Sequence, residues 1–205
     1  KTLARLVDEG AVGRLRVVRA AFGFQLAATR GPGDTRFSSE LDGGSLMDVG
    51  CYCVNAIRLF AGEPKRVEGE QALGESGVDV CFAATLRCAD DILGQFDCGF
   101  VVTDRAALEV VGEEGALAVG DPWHVRSPGI ELRGEDGTRT ETISVEPANS
   151  YRLEIEDLCA AIAGDGTPLL GRDDALGQAR AIDALYGSAA EARPVDLPAT
   201  EGSHS

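Results

Sequence analysis

Between Pro64 and Val145 the chain passes through a series of short segments of strand character: RVEGEQAL, VDVCFAATLRC, ILGQFDCGFVV, AALEVVGE, GALAV, GIELRG and TETISV. Turn residues such as Asp90-Asp91, Glu113-Glu114-Gly115 and Glu135-Asp136-Gly137 part them. The spacings are too short for crossover helices, so neighbouring strands are predicted to pair antiparallel in a meander. Many of the strands are apolar on one side and mixed on the other. Such a sheet covers helices on one face and leaves the other for solvent or a second subunit.

Upstream, RVVRAAFGFQL alternates, with Val18, Ala20, Phe22, Phe24 and Leu26 pointing one way and Arg19, Gly23 and Gln25 the other, which predicts a half-buried strand. Residues 28–42, rich in Gly, Pro, Ser and Asp, read as a long loop. Helices are predicted over 45–61, over NSYRLEIEDLCAAIA with an Asn/Ser start and a Gly164 stop, and over RDDALGQARAIDALYGSAAE. The fold class is therefore α+β: a large, open, antiparallel or mixed sheet with helices packed on one face. KTLARLVDEGAVG, residues 1–13, reads as the end of a helix arriving from elsewhere, so the chain is expected to be a C-terminal piece of something longer. Residues 14–197 then form the main domain, and 198–205, with His204, a disordered tail.

The 205 residues carry a net charge of −15, which disfavours a nucleic-acid backbone or an anionic membrane as partner. No apolar run is long enough to span a bilayer. Six cysteines lie scattered, without a CxxC pair or a nearby histidine, and read as reduced thiols of a cytoplasmic protein with no metal site. Only Lys1 and Lys65 are lysines, which limits where a catalytic ammonium could come from.

The stretch GGSLMDVGCYCVNAIRLF, residues 43–60, raises a chemical question. As a helix it places Leu46, Gly50, Cys53, Ile57 and Phe60 on one face, Met47, Cys51 and Val54 on the next, and Asp48, Tyr52 and Asn55 on a third. Asp48 thus sits in apolar surroundings, where an ionised carboxylate needs compensation, with Tyr52 one turn away. Gly43, Gly44 and Gly50 could let a flat ligand approach the backbone as the floor of a pocket. Equally, Asp48 could cap first-turn N–H groups, Tyr52 could be a satisfied core aromatic, and the glycines could shape a turn.

Gly-Gly-x-Leu-Met-Asp-Val-Gly-Cys-Tyr, followed by RLFAGEPKRV, the meander, and the closing NSYRLEIEDLCAAI and PLLGRDDALGQARAIDAL, resembles the substrate domain of the glucose–fructose oxidoreductase, inositol dehydrogenase and rhizopine catabolism family (Gfo/Idh/MocA). The resemblance implies a parent with an N-terminal Rossmann domain, absent from this chain, that holds NAD or NADP. It implies a sugar, polyol or related diol as substrate and a homodimer or higher oligomer through the open sheet face. Asp48 and Tyr52 match the branch in which tyrosine replaces the histidine of Asp-x-Gly-x-His, the branch of glucose–fructose oxidoreductase, xylose dehydrogenases and dihydrodiol dehydrogenases. Tyr52 would then be the acid/base, and Asp48 would orient the substrate or a lysine from a Glu-Lys-Pro motif. This chain contains neither that motif nor a Gly-x-Gly-x-x-Gly loop. It is expected to show no turnover alone. Gly43, Gly44 and Gly50 are expected to face the cofactor.

Other candidates are Arg36 and Phe37, read either as substrate contacts or as a solvated arginine and an anchoring ring. Trp123 and His124 are read as a pocket rim or as packing, and Asn55 as a substrate contact or part of a hydrogen-bond network. Arg152 and Glu156 form an expected i, i+4 pair. A reading of a different class remains open: a non-catalytic ligand-binding or oligomerisation module.

Overall fold

The computed structural model describes residues 1–31, 33–124, 129–168 and 170–198. Its elements are α1 (Thr2–Asp8), β1 (Leu15–Gln25), α2 (Leu26–Arg30), α3 (Cys51–Ala61), β2 (Arg66–Leu73), β3 (Asp79–Arg87), β4 (Leu93–Gly99), β5 (Val101–Gly112), β6 (Ala116–Gly120), β7 (Gly129–Arg133), β8 (Arg139–Ser144), α4 (Ser150–Ala163), α5 (Arg172–Glu191) and β9 (Val195–Asp196). Two short 3₁₀ turns, Thr35–Phe37 and Ser39–Leu41, shape the loop before α3. All described strands join one sheet in the order β8-β7-β6-β5-β1-β4-β3-β2-β9.

That order corrects the simple meander in one place. β1 lies between β4 and β5, parallel to β4 from Val17↔Leu93 to Gly23↔Gly99 and antiparallel to β5. The run ILGQFDCGFVV is therefore two strands. Phe100 crosses the end of β1 between them, and its carbonyl accepts the N–H of Leu26 at 2.9 Å as the chain leaves β1. The sheet is mixed, with helices on one face.

Alternation explains the burial. Val18, Phe22, Phe82, Leu86, Phe96 and Leu108 point inward from the sheet and meet Leu46, Val54 and Ile57 from the α3 segment and Leu185 from α5. Burying one such side chain stabilises by about 1.5–3 kcal/mol. A second, smaller cluster places Leu3, Leu6 and Val7 of α1 on Val12, Leu117 and Ile130. Arg58 of α3 is buried and ties α3 to the first turns of α5, donating to the Gln178 side chain at 2.9 Å and pairing with Asp174 at 3.1 Å. On the opposite face, Arg19 and Arg133 both pair with Glu109, at 3.2 and 3.1 Å, around a floor of Ala21, Ala83, Ala107 and Ala118.

α4 has the expected ends: the Asn149 side chain accepts the Arg152 N–H, and Gly164 closes the helix in the left-handed region. Its apolar stripe is nevertheless open, with Tyr151, Ile155, Leu158 and Ile162 each more than half exposed. Arg152 pairs with Glu156 at 3.1 Å. The thiols differ in exposure: Cys53, Cys88 and Cys98 are buried, Cys51 and Cys81 half-buried, and Cys159 on α4 exposed. Among the described residues no helix is long and apolar enough to cross a membrane. The expected tail, apart from Pro198, and His204 with it, lies outside the described residues.

Candidate functional site

The segment before α3 is not α-helical throughout. Leu46–Gly50 is a π-helical turn that runs into α3 at Cys51. Such wider turns shift the phase of a helix and concentrate at functional sites. Leu46, Gly50, Cys53, Val54 and Ile57 are buried as the face pattern predicts; Val49, which that pattern leaves unassigned, is buried too, and Met47, expected on an apolar face, is exposed.

Asp48 finds its compensation in Arg36. The loop folds back through its 3₁₀ turns so that Arg36 Nε donates to Asp48 Oδ2 at 3.0 Å. Arg36 Nη1 reaches both oxygens of Asp34, at 3.3 and 3.2 Å. The bond to Asp48 reinforces the charge on Arg36. The Arg36 N–H, which Asp34 also accepts, holds the Asp34 carboxyl below its ordinary range. Two acids thus flank one guanidinium.

Tyr52 stands on the next turn with 44% of its surface exposed. Its ring meets Phe22 edge-on at 5.6 Å and Trp123 at 5.9 Å, and Trp123 stacks on Phe22 at 5.9 Å with its Nε1 donating to the Ala21 carbonyl at 3.4 Å. His124 meets the same Phe22 ring at 5.6 Å and lies 3.0 Å, through Nδ1, from Asp121 Oδ1. Burial raises the Tyr52 phenol above its ordinary value; the neighbouring Cys51, Tyr151, Asp48 and Glu154 push the same way. Burial, with the Asp48 charge, also pushes the Cys51 thiol up to about 11, so it is no nucleophile near neutrality. Among the described residues, none of the leading influences on the Tyr52 phenol is a cation.

The structure thus brings Asp48 together with Arg36, and gathers Tyr52, Trp123 and His124 around Phe22. Phe37 packs edge-on against Phe100 at 5.6 Å. Asn55 is half-buried and makes no side-chain hydrogen bond among the described residues, so it joins no network. At the three glycines the missing side chains make room for the protein itself. A Cβ on Gly43 would lie 2.4 Å from the Arg36 carbonyl oxygen, on Gly44 2.2 Å from Asp79 Oδ1, and on Gly50 2.7 Å from Cys98 Sγ.

Three contributors escaped the sequence reading. Asp79 accepts the Leu46 N–H at 2.8 Å and the Ser45 hydroxyl at 2.6 Å, and Tyr186 of α5 donates to it at 3.1 Å. Phe22 read as a core strand residue but holds the aromatic group together. Nothing local in the sequence marks Asp79 or Tyr186 as partners, since 107 positions separate them.

These residues do not fit a dinucleotide. The helix start nearest the site already has its leading N–H taken by a carboxylate, which would repel a pyrophosphate. Among the described residues no group of His, Cys, Asp or Glu could hold a metal ion. What the site offers is a phenol at the end of an aromatic shelf, beside a carboxylate–guanidinium pair. An aromatic lining with a few convergent polar groups is the make-up of a small-molecule site.

The chain is 31% identical over 183 residues to D-xylose 1-dehydrogenase (NADP(+)) 2 of Haloferax volcanii, covering 88% of this chain and 56% of that protein. It is 34% identical over 116 residues to dTDP-3,4-didehydro-2,6-dideoxy-alpha-D-glucose 3-reductase of Saccharopolyspora spinosa, covering 56% of this chain and 34% of that one. It thus spans little more than half the length of such relatives at most. The structure superposes on aldose-aldose oxidoreductase from Caulobacter crescentus complexed with glycerol with a TM-score of 0.84 at 26% identity, covering 95% of this chain and 59% of the other. Residues 1–118 match the model of the GFO/IDH/MocA C-terminal domain, and with more than half of its length so matched the chain belongs to that family.

Proposed function

We propose that this chain is the substrate-binding domain of an NAD(P)-dependent oxidoreductase that acts on an alcohol carbon of a sugar, polyol or related diol. The observation that carries the reading is the half-exposed Tyr52 phenol at the end of the Phe22–Trp123 shelf, with the Arg36–Asp48 pair on the preceding turn. The printed activities of the relatives, a xylose dehydrogenase and a sugar reductase among them, support it. The part of the reaction that falls to this chain is the proton. Oxidation of an alcohol requires removal of the hydroxyl proton as hydride leaves the carbon. A nicotinamide held outside these residues would supply the hydride acceptor. Trp123 and Phe22 hold the ring, Arg36 and Asp48 orient its hydroxyls, and Tyr52 exchanges the proton.

Burial leaves Tyr52 a poor base by itself, and neither Lys1 nor Lys65 acts on it. A cation from outside the chain must lower its pKa, so the 205 residues alone should not turn over. Tyr151 and Glu154 of α4 lie close enough to act on Tyr52, and the open apolar stripe of α4 continues from there. We place the nucleotide-binding domain on that stripe. The sheet's outer face, a trough of about 1250 Å³ rimmed by both signs of charge, suits a second copy of the chain. The absence of a disulfide among the six cysteines supports a cytoplasmic site of action.

The test is reduction of NAD⁺ or NADP⁺ by the chain joined to its nucleotide-binding domain, against a panel of aldoses, polyols and diols, with the 205-residue chain alone as control. Turnover of one such class by the joined protein only is expected. Binding of these ligands without turnover by either would instead support the non-catalytic module, a reading favoured by the missing cation at Tyr52.

A further inference from the structure

Behind the ion pair lies a carboxylate that proton transfer does not use. Asp79 opens β3 with 2% of its surface exposed, and no Lys or Arg pairs with it among the described residues. Three hydrogen bonds replace its water: from Ser45 Oγ at 2.6 Å and Leu46 N at 2.8 Å to Oδ2, and from the Tyr186 hydroxyl at 3.1 Å to Oδ1. A buried charge held only by hydrogen bonds is costly to keep unless its geometry is used. Here it joins the start of β3, the C-terminal half of α5 and the N-terminus of the segment that carries Asp48 and Tyr52.

Gly44 shows what that geometry controls. Its N–H donates to the Arg36 carbonyl at 2.9 Å, and its own carbonyl accepts the Asp48 N–H at 3.1 Å. One residue therefore spaces the backbones of both members of the Arg36–Asp48 pair. It does so at φ +127°, with Asp79 Oδ1 only 2.2 Å from where a Cβ would stand. The π-helical turn that swings Asp48 outward begins at Leu46, the residue Asp79 caps.

We infer that Asp79 is a positioning residue: by clamping Ser45 and Leu46 and packing on Gly44 it sets the separation of Arg36 from Asp48 and the direction from which Asp48 meets the substrate. The inference rests on the function proposed above for Asp48 and Tyr52. Misplacement of such a group by about 1 Å costs on the order of 10²-fold in rate. Tyr186 holds the carboxylate from the far side; burial, and after it the Asp79 charge, raise its phenol above the ordinary value.

The test compares Asp79→Ala, Asp79→Asn and Tyr186→Phe in the full enzyme, reading kcat and KM, the folded fraction by circular dichroism, and the Arg36 Nε–H resonance by ¹⁵N NMR. Asparagine keeps an oxygen for Ser45 and Leu46 and an amide for the Tyr186 oxygen. The expected result for folded Asp79→Ala is a fall in kcat on the order of 10²-fold with KM changed by less than about threefold, and a shifted Arg36 resonance. Asp79→Asn should recover kcat to within about tenfold of wild type. A folded Asp79→Ala enzyme with kcat within about twofold and an unmoved Arg36 resonance would overturn the inference. Should Asp79→Ala not fold, Tyr186→Phe decides: a moved Arg36 resonance with lowered kcat supports positioning, and no change in either overturns it. If the wild type turns over no substrate, the proposed function fails, while the Arg36 resonance still reports whether Asp79 sets the pair.

Discussion

Replacing Gly44 by alanine should be among the most damaging single-methyl changes in the chain. The residue sits at φ +127°, a region that L side chains rarely adopt, which costs about 1–3 kcal/mol. The new Cβ would also stand 2.2 Å from Asp79 Oδ1 and 3.1 Å from the Tyr186 hydroxyl. Asp79 must retreat, and losing one hydrogen bond to a buried carboxylate costs about 1.5–3 kcal/mol more. The sum, about 2.5–6 kcal/mol, is a large share of the ~5–15 kcal/mol that holds a domain folded. Gly10 is the control: its φ is +83°, but nothing lies within 4 Å of its Cβ position. Gly10→Ala should therefore cost about 1 kcal/mol, from backbone strain alone. Urea unfolding with a constant m value reads both. In an Asp79→Ala background the clash disappears, and the Gly44→Ala penalty should shrink to the strain, leaving a coupling of about 1.5 kcal/mol or more. Equal costs for Gly44→Ala and Gly10→Ala, or an unchanged Gly44→Ala cost without Asp79, would refute the reasoning.

Two further outcomes concern the thiols. Cys159 is exposed and Cys53, Cys88 and Cys98 are buried, so a thiol reagent under native conditions should modify Cys159 first, and Cys159→Ser should abolish the fast phase. Burial, followed by the Glu63 charge, pushes the Cys88 thiol up to about 12 from an ordinary 9.0. The folded state therefore favours the protonated thiol; the stability this adds is complete below about pH 9 and is lost as pH rises toward 12. Melting temperature should fall across that window. In Cys88→Ala it should start lower at pH 7 and fall less steeply.

How far the sequence could be read depended on how local the determining forces are. RVEGEQAL is β2 to the residue, and RDDALGQARAIDALYGSAAE is α5 to the residue, because alternation, caps and helical spacing act over a few positions. The parallel pairing of β1 with β4 joins Val17 to Leu93, and no local pattern encodes a partner that distant. The π-helical turn at Leu46–Gly50 was invisible for another reason: five residues of apolar spacing do not separate it from an ordinary helical turn. Asp48 and Tyr52 stood out as a carboxylate and a phenol in an apolar helix, but Arg36 reaches Asp48 only through two 3₁₀ turns. Asp79, the second residue of the strand run VDVCFAATLRC, carries no local sign of the partners it meets from α5 and the α3 segment. The stripe on α4 marked a helix correctly, yet spacing cannot say what covers it.

The central claim is that Tyr52 handles the substrate proton, and the most direct measurement is the Tyr52→Phe exchange in the enzyme joined to its nucleotide-binding domain. Trp123 is the chain's single tryptophan and its ring lies 5.9 Å from Tyr52, so its fluorescence reports sugar binding at the site independently of turnover. The account predicts sugar affinity close to wild type with kcat lower by about 10²–10⁴-fold, the usual contribution of a positioned acid/base group. Wild-type kcat in Tyr52→Phe, with the sugar still bound beside Trp123, would contradict it.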